Sequence, residues 1–395
     1  MKPVEPSHSS LNRLQWIALL VGLVCAAAAV VGGLAGGINQ FYRSYLVAYV
    51  DWIGLSLGSL AILMLHFVGG GRWAGTIRRI LEAASKTVYL MVPLFIPLLL
   101  NLAANYPWAD PARLATDPVV QYKSKFLNPT TFLVGSAVIF VIWLILVSFL
   151  GRWSRQEEAG DLAARRREAR LSGPGLILYF FTVTAAAIAW IMSVDPSWIS
   201  SIFGLVIASS QVLASMGFAL VVLPRMPGFR TGEIDARSLK TKLMRDLGAL
   251  ELTFVVLWAY LSFFQLLIIW GGNIPHEVAW YLVRIQNGWG FVAALLAAVQ
   301  FALPFLALIP MRVRSNIALL SLIGLVIVII NWVQYFWQII PAHYPSIHLH
   351  WLDIALALAI GGLWVAFFIN RLKQRSLEPF WDMPMEPERA SEAHL

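Results

Sequence analysis

Residues 245–270 read RDLGALELTFVVLWAYLSFFQLLIIW. Beyond Glu251 this stretch carries no charge, and a run of about 20 mostly apolar residues is what a helix needs to cross the hydrocarbon core of a bilayer. Its polar residues are not scattered: Glu251, Trp258, Ser262 and Gln265 recur within about 40° of one helical face. A helix is the expected form because hydrocarbon offers the backbone no hydrogen-bond partners. A closed barrel would show short alternating segments instead.

Nine more stretches read the same way. With 247–270 as the seventh, the spans fall near 14–36, 46–68, 83–104, 131–150, 174–193, 200–223, 288–311, 316–339 and 351–370. The predicted fold is an all-α integral membrane protein of ten transmembrane helices. Composition agrees, since 59% of the 395 residues are apolar and only 13% are charged, about half the charged share of a soluble domain. The net charge of +8 is read as topology rather than as a nucleic-acid surface. Of the 29 Lys and Arg, all but Arg43, Arg113, Lys123, Lys125 and Arg284 fall in the tails or in alternate connections. The positive-inside rule then puts both termini in the cytoplasm. This divides the chain into an N-tail (1–13), a membrane domain (14–370) and a C-tail (371–395).

The first span is too long for the apolar core of a signal peptide and lacks a small-residue cleavage site. The one cysteine, Cys25, reads as a packed thiol. Residues 155–170 read as a charged surface helix, solvated or touching headgroups. The Pro-rich acidic stretch from Ser376 reads as an extended end.

Ionisable groups inside spans are costly and point to function. Glu251, with Asp246 before it and His66 and Lys86 on neighbouring spans, makes a candidate cytoplasmic half of a proton path. On the outer side Asp195, Trp198, Gln265, His276, Glu277 and Arg284 form a candidate proton or quinone region. Asp51 sits near the outer end of the second span. The ninth span carries a stripe of Asn331, Gln334, Tyr335 and Gln338, which serves equally as glue between helices. For each of these the plain alternative is a satisfied structural contact.

Other chemistry is missing. His66 has no histidine partner within a span for a bis-histidine haem. One cysteine supports neither an iron–sulfur cluster nor a structural zinc site. The pair His348 and His350 lacks a carboxylate motif, and no Gly-rich phosphate loop follows a strand. Any redox centre belongs to partner subunits.

Several stretches together resemble the second NrfD-type (polysulfide-reductase-like) membrane subunit of alternative complex III, a bacterial quinol:cytochrome c oxidoreductase. They are LGALELTFVVLWAYLSFFQLLIIWGGNIPHEVAWYLVR (247–284), MSVDPSWISSIFG (192–204), NYPWAD (105–110), KSKFLNPTTF (123–132) and LMLHFVGGGRW (63–73). The likeness runs from about 14 to 370. It implies two four-helix bundles, spans two to five and six to nine, flanked by the first and tenth. It further implies residence in the bacterial inner membrane beside an NrfD-like paralogue, an iron–sulfur protein and c-type cytochromes. The haem c and iron–sulfur clusters would lie in those partners, and this chain would bind no cofactor of its own beyond a possible quinone. Two positions depart from the pattern: His276 stands where a carboxylate is expected, and Gln300 where a histidine is. A secondary transporter and a purely structural anchor are the competing classes.

Overall fold

The computed structural model describes residues 8–71, 73–226 and 237–375, and every regular element among them is helical. Eight helices are long and apolar enough to cross a membrane, or nine when Arg78–Met91 and Pro93–Leu100, bent by 50°, count as one. The bend falls at Pro93, where the ring removes a backbone donor and clashes with the preceding turn.

The first of the eight, Ser10–Gly69, is 60 residues long, about 90 Å at 1.5 Å per residue. It is not straight. α1 (His8–Gly32) passes through a π-helical turn, Gly33–Gly37, into α2 (Ile38–Gly69), and Gly36 in that turn has φ 138°. Glycine adopts this conformation without strain. Nothing lies within 4 Å of where its Cβ would be, so backbone freedom, not crowding, accounts for the residue.

Then follow α3 (Arg78–Ser85), the bent pieces up to Leu100, and a loop with two short helices capped by Asp110 and Asp117. α4 (Pro129–Glu158) is capped by Asn128, whose side chain accepts from the Thr131 amide. α5 (Leu162–Ala186), α6 (Phe203–Val222), α7 (Arg237–Gly272) and the short α8 (Pro275–Ile285) come next. α9 (Trp289–Leu296) runs through a second π-helical segment, Ala297–Ala302, into Leu303–Leu308; α10 (Ile317–Ile339) and α11 (Trp351–Leu372) complete the order.

Three helix crossings set the packing, and each is made by glycine. A Cβ on Gly58 of α2 would land on the carbonyl of Gln211 in α6. Gly217 of α6 faces Gly324 of α10, each occupying the space the other's side chain would need. Gly22 of α1 meets Gly362 of α11 in the same way. Without a hydrophobic drive between helices in lipid, such close approach supplies the dispersion contact that holds them. α2 and α6 are therefore central, with α3 and α5 against α2, and with α7 and α10 against α6. α1 and α11 are not separate flanks: they pack on each other, and α11 lies on α2 and α3.

One reading is corrected. Residues 155–170 are not one surface helix. α4 ends at Glu158, α5 begins at Leu162, and Glu168 is fully buried, because arginines of α3 draw the carboxylates inward. The stretch from Ser376 lies outside the described residues.

Gly58→Val should therefore destabilise the protein by about 3 kcal/mol, the upper end of overpacking costs. Gly135→Ala, inside α4 where nothing lies within 4 Å, should leave the melting temperature the same or slightly higher, since Ala favours a helix interior over Gly by up to about 1 kcal/mol. Thermal unfolding in detergent, followed by tryptophan fluorescence, checks both.

Candidate functional site

α7 buries one face. Glu251 is 0% exposed, and Trp258 and Gln265 are buried with it; Tyr260, Phe263 and Trp270 on other faces are exposed, as lipid contact requires. Neither carboxyl oxygen of Glu251 has a hydrogen-bond partner among the described residues. The group sits at the α6–α10 crossing, with Oε1 3.4 Å from where a Cβ of Gly217 would be. The glycine crossing thus makes room for the carboxyl group as well as for the helices.

Of the second predicted group, the chain assembles Trp198, Gln265 and Arg284, with Asp195 close by. Pro275 starts α8, and one turn of that helix separates Trp280 from Arg284, both buried. The guanidinium lies 3.6 Å from the Trp280 ring centroid, and Trp280 stacks on Trp198 at 4.2 Å. Arg284 donates to the carbonyls of Trp280 (3.0 Å) and Gln338 (2.7 Å). Gln265 donates to Tyr281 Oη at 3.0 Å and accepts from Ser200 Oγ at 3.0 Å. Burial pushes the Arg284 guanidinium down to about 9, opposed by the negative charge of Asp195. Asp195 itself closes the turn after α5, accepting from the Ser197 amide and hydroxyl. His276 is exposed and Glu277 half-buried, and neither is brought into this cluster.

The stripe on α10 is buried along its length and reaches four neighbours. Asn331 Nδ2 donates to Asp51 of α2 at 2.7 Å, and Gln300 Nε2 donates to Gln334 Oε1 at 2.6 Å. Tyr335 Oη lies 3.4 Å from Ser210 Oγ, and the Gln338 carbonyl takes the Arg284 bond. Several atoms in this seam have no hydrogen-bond partner among the described residues: Asn331 Oδ1, Gln334 Nε2, Gln300 Oε1 and Gln338 Oε1. Buried donors and acceptors of this kind are the usual hosts of internal water. Gln300 is carried by the π-helical segment, a distortion frequent at functional sites. Beside Tyr335 is a cavity lined by Val50, Trp143, Trp190 and Gln211, of about 10 Å³ for the centre of a water-sized sphere, close to the minimum for one water.

The other residues of the predicted cytoplasmic set fall elsewhere. Asp246 is exposed. His66 packs against Phe67 and Trp73 at 5.4 and 5.8 Å between ring centroids. Lys86 lies along Gly151 of α4, beside a buried ionic cluster that sequence reading missed. Arg78 Nε donates to Glu82 at 2.8 Å, and its Nη2 serves Glu157 at 2.6 Å and Glu168 at 3.2 Å. Arg79 pairs with Glu158 and Glu82. The carboxylates sit on α3, α4 and α5, far apart in sequence. Only the i, i+4 spacing of Arg78 and Glu82 could have flagged any part of it.

His350 caps α11, its Nδ1 accepting from the Leu352 amide at 3.2 Å, and His348 stacks on Tyr344 at 4.2 Å. These are structural roles for the outer histidines. No group of three His, Cys, Asp or Glu poised for a metal occurs among the described residues. No family model matches the chain, and no curated protein matches it either. Chemically, the arrangement offers a buried carboxyl group without a hydrogen-bond partner among the described residues and a polar seam with spare hydrogen-bonding capacity.

Asn331→Leu leaves the Asp51 carboxylate without its donor and should cost about 2–3 kcal/mol. The double variant Asp51→Leu/Asn331→Leu, which removes both partners, should regain at least about 1 kcal/mol of that. Melting temperatures of the single and double variants close the cycle.

Proposed function

We propose that the chain is a membrane subunit of a respiratory quinol:cytochrome c oxidoreductase of the alternative complex III type. In this reading it has ten crossings, with Ser10–Gly69 counted as two at Gly36 and the bent pair as one, arranged as two four-helix bundles with α1 and α11 beside them. Both tails face the cytoplasm of a bacterium, and the protein sits in the inner membrane. Haem c and iron–sulfur centres belong to its partners, an iron–sulfur protein, c-type cytochromes and an NrfD-like paralogue. This chain supplies scaffold and a proton path, with a quinone near the Trp198–Trp280–Arg284 cluster as its only small-molecule contact.

The observation that carries the reading is Glu251. A carboxyl group in an apolar surround is expensive when ionised and unpaired, so a chain that keeps one there without a partner has a use for its proton. From the level of Glu251, α7 leads outward along one face to Gln265, and α10 carries the parallel seam from Asn331 to Gln338. The resemblance of residues 247–284 to the NrfD-type signature supports the assignment of the complex. Gln300, where a histidine is expected, gives the seam a group that orients water instead of one that binds a proton at neutral pH.

Gentle detergent extraction should bring the chain out with haem-bearing and iron–sulfur proteins. Glu251→Gln should assemble normally and keep quinol oxidation, yet lose about tenfold or more of the proton movement coupled to it, the low end of what a positioned acid–base group contributes. Migration alone and colourless refutes the respiratory reading in favour of a transporter. Unchanged proton movement in Glu251→Gln leaves a structural anchor.

A further inference from the structure

The last described residues cross back over the end of the bundle that holds the ionic cluster. α11 stops at Leu372, yet the chain beyond it is tied down on both sides. Lys373 Nζ donates to Asn12 Oδ1 at 2.5 Å and to Gln15, both on α1. Arg375 reaches the other way. Its Nη1 donates to Glu82 at 2.5 Å, Ser154 at 2.7 Å and Glu158 at 3.0 Å, and its Nη2 to the carbonyl of Gly151 at 2.9 Å. Only 9% of the Arg375 side chain is exposed. A guanidinium held by two carboxylates, a hydroxyl and a carbonyl is fixed in place, since charged hydrogen bonds are about twice as strong as neutral ones.

Gly151 is touched from two sides. Its carbonyl takes the Arg375 bond, and the Lys86 side chain occupies the place a Cβ would point to, with Cε 3.1 Å and Nζ 3.7 Å away. The charges around Lys86 are those of Arg375, Glu82, Arg155 and Arg371, so Arg375 and the Lys86 ammonium share Glu82 as a neighbour.

We infer that residues 373–375 form a strap, pinned to α1 by Lys373 and to α3 and α4 by Arg375, that narrows solvent access to the half-buried Lys86 and widens it by release of Arg375. On the orientation proposed above this is the cytoplasmic mouth of the first bundle. The importance of the strap for proton entry rests on that reading; the shielding of Lys86 does not. Release breaks no covalent bond. It leaves Glu82 paired with Arg78 and Arg79, so the cluster beneath survives the strap's departure.

Labelling of the intact assembly in nanodiscs with a sulfonated N-hydroxysuccinimide ester, resolved by peptide mass spectrometry, tests this. In the wild type, Lys86 should react far more slowly than the exposed Lys242. Arg375→Ala should raise the Lys86 rate about tenfold or more, the factor that goes with losing a hydrogen bond to a charged group, with Lys242 unchanged. Glu158→Gln, which removes one of Arg375's anchors and keeps the residue itself, should give an intermediate rate. A Lys86 that reacts as fast as Lys242 in the wild type, or at the same rate with and without Arg375, overturns the strap. The rates do not depend on whether Glu251 carries protons, so failure of the proton reading leaves this result standing.

Discussion

Hydrocarbon accepts no hydrogen bonds, and that constraint orders the whole molecule. Polar side chains between the helices must find one another across long stretches of sequence. Asp51 finds Asn331, Gln334 finds Gln300, and Arg284 finds the carbonyl of Gln338. The first and third of these bonds tie helices that are not neighbours in the chain, and the second ties the π-helical segment after α9 to α10. Where such a group finds no mate, as with Glu251, the exception is informative because the cost of leaving it so is high.

Glycine lets these groups meet. The Gly217–Gly324 crossing brings α6 and α10 to backbone contact, which sets how deep the Glu251 side chain lies. The Gly58–Gln211 crossing does the same for α2 and α6, next to where Gln211 accepts from Tyr179 at 3.1 Å. Packing and polarity are thus one design: the small residues that supply dispersion also fix the spacing at which side chains bond.

The helical character, with apolar stretches long enough to cross a membrane, was legible from apolar run length alone. The face of α7 was legible from 3.6-residue periodicity, because Glu251, Trp258 and Gln265 are indeed buried together. Trp198, Gln265 and Arg284 were grouped from their placement near helix ends, and they meet through Trp280 and Tyr281. What could not be read were meetings across sequence distance. Nothing near Asp51 announces Asn331, and nothing in 155–170 announces that Glu168 turns inward to Arg78. A charged stretch looks solvated until the cations that neutralise it are placed, and those lie on α3. Nor could the sequence show that Lys86 lies against Gly151 of α4 while Glu251 lies beside Gly217 of α6.

The pairing of α1 with α11 closes the fold across most of its sequence. Gly22 of α1 meets Gly362 of α11, and Lys373 reaches Asn12, so one contact between backbones and one polar anchor hold the same two helices. A side chain added at either glycine would part the helices and draw the Lys373 ammonium away from α1 with them.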